Sequence, residues 1–215
     1  MPPPAPSLDL TLILAATTRD MGIGLAGSLP WTGLRKEMAY FARVTKRLPP
    51  SSPPTALNAL IMGRKTWDSI PPRFRPLAGR LNVVISRSHP TPPATDAEAG
   101  DAVVRAASLD DALGYLAPLR DGGRVGRVFV IGGAQVYGEA MGKGMARRIL
   151  LTRVLGEFEC DAFFGVRLPE DGEGAEGWRR AEKGALDGWV GEEVPGGVQE
   201  EGGTGYVFEM WERVD

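Results

Sequence analysis

The chain is poor in the residues that carry most metal and nucleophile chemistry: its 215 residues include one cysteine, Cys160, and one histidine, His89. A single thiol excludes an intrachain disulfide framework and a thiolate metal cluster. A single imidazole, followed by Pro90 in a proline-rich stretch, excludes Ser-His-Asp triads, HExxH zinc sites and three-histidine cages. Long apolar runs are missing too. The longest, Leu10 to Ala16, contains a threonine and is far too short to span a bilayer. Neither sign of charge dominates: 25 Lys+Arg against 27 Asp+Glu give a net charge of −2, so no wholesale nucleic-acid binder is expected. Residues 1–7 have no basic region and read as a disordered leader rather than a signal peptide. That and the lone cysteine point to a reducing cytoplasm. Any catalysis must draw on carboxylates, hydroxyls, backbone groups or a borrowed cofactor, with no metal.

What is present suits one domain over residues 8–215, with 43% hydrophobic residues in 23.0 kDa. Short aliphatic runs predict buried strands at Leu10–Ala16, Leu57–Met62, Leu81–Ser86, Val128–Ile131 and Arg148–Val154. Helices are expected over Leu34–Leu48, Lys65–Ile70, Leu109–Leu116 and Ala134–Met141, the third started by Ser108 with Asp110 and Asp111 in its first turn. This alternation predicts an α/β fold: a central, mostly parallel twisted sheet with helices on both faces. Residues 205–212 alternate imperfectly and read as a closing antiparallel edge strand. Residues 170–205, rich in Gly and Glu, read as a surface excursion. Residues 35–80 hold ten Lys/Arg against Glu37 and Asp68, a solvated basic face or a place where anionic small molecules bind.

On a helical wheel with Leu34 at zero, Met38 falls at about 40°, Phe41 at about 340°, Val44 at about 280° and Thr45 at about 20°. The charges Arg35, Lys36, Arg43, Lys46 and Arg47 fall between about 100° and 220°, but Glu37 falls at about 300°, inside the apolar stripe. A buried lone carboxylate costs several kcal/mol, so Glu37 either bends out to water, pairs with an arginine, or waits at the floor of a cleft for a ligand with two adjacent N–H donors. In the last case Leu34, Met38 and Phe41 form a wall for a flat apolar ring.

Two segments, Ile61-Met62-Gly63-Arg64-Lys65-Thr66 and Val130-Ile131-Gly132-Gly133-Ala134-Gln135, each place glycine between a strand and a helix start. Free backbone N–H groups make such places anion sites, and two of them suit the two phosphates of a dinucleotide. Neither matches G-x-G-x-x-G, and Gly22-Ile23-Gly24 lacks the third glycine. The strand ending at Ser86-Arg87-Ser88 offers a hydroxyl and a guanidinium where a cofactor without a 2′-phosphate meets an acid. That favours NADP(H) over NAD(H).

Taken together, Asp20 to Gly24, Leu29-Pro30-Trp31, Leu34 to Glu37 running into Tyr40-Phe41, Ile61 to Pro71, Arg75 to Arg80, Val130 to Gly133, Val136-Tyr137, Leu151 to Arg153 and Asp161 to Phe164 resemble the dihydrofolate reductase family. They stand in family order over nearly the whole chain, and Glu at residue 37 is similar to the eukaryotic branch. The resemblance implies reduction of 7,8-dihydrofolate with NADPH in the service of one-carbon metabolism, by a monomer. It implies that Glu37 receives the pterin's 2-amino group and ring nitrogen, supported by Thr152 and, through a water, by Trp31. Phe41 would stack on the ring, with Leu14, Ala15 and Ile131 at its other edge. Leu34, Ile70 and Leu77 would hold the benzoyl group and Arg80 the α-carboxylate, with Met38 also counted in the substrate site. Ala16, Ile23 and Tyr137 would meet the nicotinamide, with Tyr137 counted in the catalytic set. Gly63, Lys65, Thr66 and Ile131–Val136 would meet the phosphates, and Arg64, Ser86, Arg87 and Ser88 the 2′-phosphate. Gly132-Gly133 resembles the family's cis peptide. Met38 and Phe74 depart from the aromatic and the polar residue common in relatives. The alternatives are a riboflavin-pathway reductase on the same fold, which needs no pairing of Glu37 with Arg80, and a binding module that has lost activity.

Overall fold

The computed structural model describes residues 8–91, 103–173 and 175–214, so the expected leader lies outside the described residues. The aliphatic runs form strands β1 (Leu10–Thr17), β3 (Leu57–Gly63), β4 (Arg80–Ile85), β6 (Val125–Val130) and β7 (Ala146–Leu155), each within three residues of its predicted bounds. Their side chains are buried on both faces, which is why the runs are continuous rather than alternating. Each fully buried Leu, Ile or Val contributes roughly 1.5–3 kcal/mol of transfer free energy, so these strands supply most of the core.

The main sheet runs β10 (Gln199–Glu201), β11 (Thr204–Arg213), β7, β1, β6, β3, β4, β5 (Val103–Ala106), with β9 (Trp178–Arg180) also on β11. From β7 to β5 the pairs are parallel, and β11 is antiparallel to β7, Phe208 opposite Thr152. The closing strand is therefore as expected, although β9 and β10 cover part of its outer side. Two smaller strands, β2 (Gly22–Gly24) and β8 (Ala162–Phe163), form a separate ribbon.

Helices α1 (Arg35–Lys46), α2 (Arg64–Ser69), α3 (Leu109–Asp121) and α4 (Ala134–Gly142) follow the predicted segments. Ser108 caps α3 by accepting from Asp111 N at 3.1 Å, and the helix runs beyond Leu116 through Pro118. One apolar cluster lies on the face of α3 and α4, and another on the face of α1.

The Gly/Glu-rich tract is not a bare excursion. It carries β9, β10 and α5 (Lys183–Val190), and four of its sparse apolar residues, Trp178, Leu186, Val190 and Val194, are buried, whereas Val198 is 63% exposed. Its acids clamp α1 at both ends. Leu34, at the N-cap, offers no side-chain acceptor, and both carboxylate oxygens of Glu201 instead accept from Lys36 N at 2.9 and 3.1 Å. At the other end Glu192 accepts from Arg43 at 2.9 Å and from Arg47 at 3.0 Å. Asn58, fully buried on β3, donates to the Thr45 and Arg47 carbonyls, both at 2.9 Å.

Candidate functional site

The α1 residues that face the core are Glu37, Tyr40, Val44 and Thr45. Tyr40, at about 240° on the wheel, packs on Phe208 with ring centroids 4.1 Å apart, so the buried face is centred near Glu37 rather than near Leu34. Met38 is 52% exposed and stands on the open shoulder of the helix, outside its buried face. Glu37 is 7% exposed, and Thr152 Oγ1 on β7 donates to its Oε1 at 2.9 Å. Desolvation raises the Glu37 pKa, the Thr152 bond opposes that, and the Glu201 charge adds to it. No cation among the described residues forms an ion pair with this carboxylate. It can therefore accept further N–H donors, a donor pair most favourably.

Around it the structure gathers most of the expected wall. Leu34 is buried in the α1-side cluster, with Ala15, Phe41, Ile70, Leu77 and Ile131 half-buried against it. Leu14 belongs to the opposite cluster, so only its backbone is available to this side. Trp31 is buried edge-to-face on Phe158 at 5.6 Å, and its indole Nε1 has no partner among the described residues. A buried N–H in that state is suited to a bound water. Arg80 is 4% exposed, with Nη1 on Thr45 Oγ1 at 3.0 Å and Nε on the Ala78 carbonyl at 3.2 Å. It has no carboxylate partner among the described residues, and desolvation lowers its pKa to about 10. Like Glu37 it is a charge whose counterpart is missing from its immediate surroundings.

The two glycine turns come together at the carboxyl ends of β3 and β6. Gly63 N donates to Gly132 O at 2.8 Å, and Gly63 and Gly133 are the N-cap residues of α2 and α4, without side-chain caps. Gly132-Gly133 is cis, as the resemblance implies. Gly132 has φ +118°, a conformation that disfavours any side chain, and a Cβ there would come into contact with Thr66 Oγ1 and the Tyr137 hydroxyl at 3.4 Å. Arg64, Lys65 and Gln135 are exposed, Thr66 and Ala134 are half-buried, and Val136 is buried.

Ala16 is fully buried and Ile23 half-buried, both against the α4-side cluster. Tyr137, expected in the catalytic set, lies beside Gly132. Its hydroxyl is buried and donates to Ile13 O at 2.8 Å, which ties α4 to β1, and burial pushes its pKa up. Beyond β4, Ser86 and Ser88 hydroxyls lie 3.0 Å apart and Arg87 is exposed, while Arg64 is drawn to Asp68 at 3.5 Å. Glu201, Glu192 and Asn58, which hold α1 in place, were not singled out by sequence. The two acids lie far along the chain from what they hold and look there like solvated charge, while Asn58 is a single polar residue within an aliphatic run.

A mostly parallel α/β sheet with glycine-led turns at the carboxyl ends of two central strands is the class this architecture defines. The dihydrofolate reductase family model matches residues 9–173. The chain is 43% identical over 210 residues to the dihydrofolate reductase of Pneumocystis carinii, covering 95% of this chain and 97% of that one. It is 38% identical over 225 residues to that of Cryptococcus neoformans, covering 94% of each, and 40% identical over 202 residues to that of Mus musculus, covering 94% and 96%. The chain belongs to the dihydrofolate reductase family, and it is an oxidoreductase.

Proposed function

We propose that this protein reduces 7,8-dihydrofolate to 5,6,7,8-tetrahydrofolate with NADPH, as a cytoplasmic monomer serving one-carbon metabolism. The observation that carries the reading is Glu37: a buried carboxylate partnered by one neutral hydroxyl, at the floor of a half-buried apolar wall. A pterin's 2-amino group and neighbouring ring N–H match its two oxygens. Phe41 then covers one face of the ring, with Leu14, Ala15 and Ile131 at its other edge; Leu34, Ile70 and Leu77 flank the benzoyl group, and Arg80 takes the α-carboxylate.

The residues fit NADPH. Two uncapped helix starts linked through Gly63 and Gly132, and a cradle that a Cβ would fill, suit a pyrophosphate. Arg64, Ser86, Arg87 and Ser88 suit a 2′-phosphate, and Ala16 and Ile23 the nicotinamide. The chemistry the cofactor supplies when bound is a hydride from C4 of its nicotinamide, delivered to C6 of the pterin. The chain's own residues bind, orient and exclude water. Glu37 fixes the ring, Thr152 fixes Glu37, and Trp31 Nε1 holds the water through which the acid is reached. N5 takes its proton from water, so dihydrofolate, NADPH and one proton become tetrahydrofolate and NADP⁺. Positioning and a water-poor pocket supply most of the rate.

Loss of nicotinamide absorbance on mixing purified protein with dihydrofolate and NADPH tests the reading. Turnover supports it. No turnover with dihydrofolate, or reduction of a riboflavin-pathway pyrimidine instead, overturns it. Size-exclusion chromatography with light scattering tests the monomer.

A further inference from the structure

The lone histidine plays no part in the reading above, yet its ring is tied at both nitrogens. His89 Nδ1 lies 3.2 Å from the Val84 carbonyl oxygen, and Nε2 lies 3.4 Å from Arg105 Nη1. A carbonyl can only accept and a guanidinium can only donate, so these partners set the tautomer: the proton is on Nδ1 and the lone pair on Nε2. The backbone holds the ring as well, because His89 N donates to Ser86 O at 2.8 Å, closing the turn that follows β4. His89 thus belongs to the same short turn as Ser86, Arg87 and Ser88.

Arg105 reaches that turn from the neighbouring strand. β5 pairs parallel with β4, Arg105 opposite Val84, and Ser86 N continues the ladder to Ala106 O at 2.9 Å. On β5, Val104 and Ala106 are buried in the α3-side cluster, so the exposed Arg105 points to the other face. Val84 beside it packs in the α1-side cluster, the face that also receives Trp67 of α2. Arg105 therefore stands on the sheet face of the helix that begins with Arg64. The partner of Arg105 is the His89 imidazole, and no carboxylate among the described residues pairs with it. Arg64, by contrast, shares its charge with Asp68 at 3.5 Å.

We propose that Arg105, aimed by His89, is a further binding residue for the cofactor's 2′-phosphate, and that His89 is its positioning residue. A ribose 2′-phosphate brings close to two negative charges, and three cations from three elements, Arg64, Arg87 and Arg105, surround it better than the two expected from the chain beside β3 and β4. This rests on the NADPH reading and deepens it by assigning discrimination against NADH in part to β5.

The test is calorimetric titration of the full chain with 2′,5′-ADP and with 5′-AMP, nucleotides that differ only by the phosphate in question. Arg105→Met is expected to weaken 2′,5′-ADP about tenfold and His89→Ala about threefold, both leaving 5′-AMP unchanged. Equal weakening of both nucleotides, or no change in either, overturns the role of Arg105. Selective loss in Arg105→Met with none in His89→Ala overturns the positioning role of the histidine. Wild-type protein that binds 5′-AMP as tightly as 2′,5′-ADP removes the NADPH reading itself, and the proposal with it.

Discussion

Thr152 and Arg153, neighbours on β7, each hold a buried carboxylate, and they do so on opposite faces of the sheet. Thr152 donates to Glu37 at 2.9 Å, whereas Arg153 binds Glu209 through Nε at 2.7 Å and Nη2 at 2.8 Å. The pleat that turns one side chain toward α1 turns the next away from it. Arg153 and Glu209 are 1% and 2% exposed, and Trp211 Nε1 adds a third donor to Glu209 at 2.9 Å. One acid is thus saturated with donors and the other is left short of them, the difference on which the proposed ligand role of Glu37 rests.

For the unsaturated acid, Glu37→Gln is expected to lower kcat by about two to three orders of magnitude, since an amide presents a donor where the pterin also presents one. Cofactor binding should persist. Steady-state rates with dihydrofolate, alongside fluorescence titration of NADPH, check both halves. Normal turnover in the variant would remove Glu37 from its role.

Stability should carry the mark of the same residue. Burial raises the folded-state pKa of Glu37 above its ordinary value of 4.5, so the folded chain holds that proton to higher pH than the unfolded chain does. Its contribution is fully present below pH 4.5 and is lost as pH rises through the folded value. The thermal midpoint of ligand-free protein relative to Glu37→Gln should therefore fall over that window. A parallel pair of pH profiles would contradict it.

The saturated acid should behave in the opposite sense under mutation. Arg153→Met or Glu209→Gln alone leaves a buried partner uncompensated, with an expected loss of about 3–5 kcal/mol in denaturant unfolding. Replacing both with apolar residues of similar size should recover most of it. Additive losses in the double variant would show that the two do not act as a pair.

Arg80→Ala should raise KM for dihydrofolate with little change in kcat, because the guanidinium touches only the far end of the substrate in the proposed pose. Binding of a pterin without the glutamate tail should be unaffected. An unchanged KM for dihydrofolate would move the tail site elsewhere.

Much of this was legible in the sequence for stated reasons. Continuous aliphatic runs announced the five central strands, and Glu37 betrayed itself by falling inside an apolar stripe. What escaped did so for equally physical reasons. The four residues of β5 offer too short a pattern to register. In α5 and β9 the buried Trp178, Leu186 and Val190 are diluted among glycines and acids, so composition hid a packed segment. The buried face of α1 is turned from the one the wheel anchored on Leu34 suggests, because Tyr40 packing on Phe208 orients the helix. The Arg153–Glu209 pair joins residues 56 apart, and no local rule reaches that far.

The grip of Glu192 and Glu201 on α1 has a consequence for how the enzyme is born. The helix that bears Glu37 is made early, but its capping carboxylate and the partner of its last-turn arginine arrive some 150 residues afterward. On the ribosome, the nascent chain can lay down its parallel strands well before the acid is held in place. Activity should emerge only upon release of the final strand from the exit tunnel.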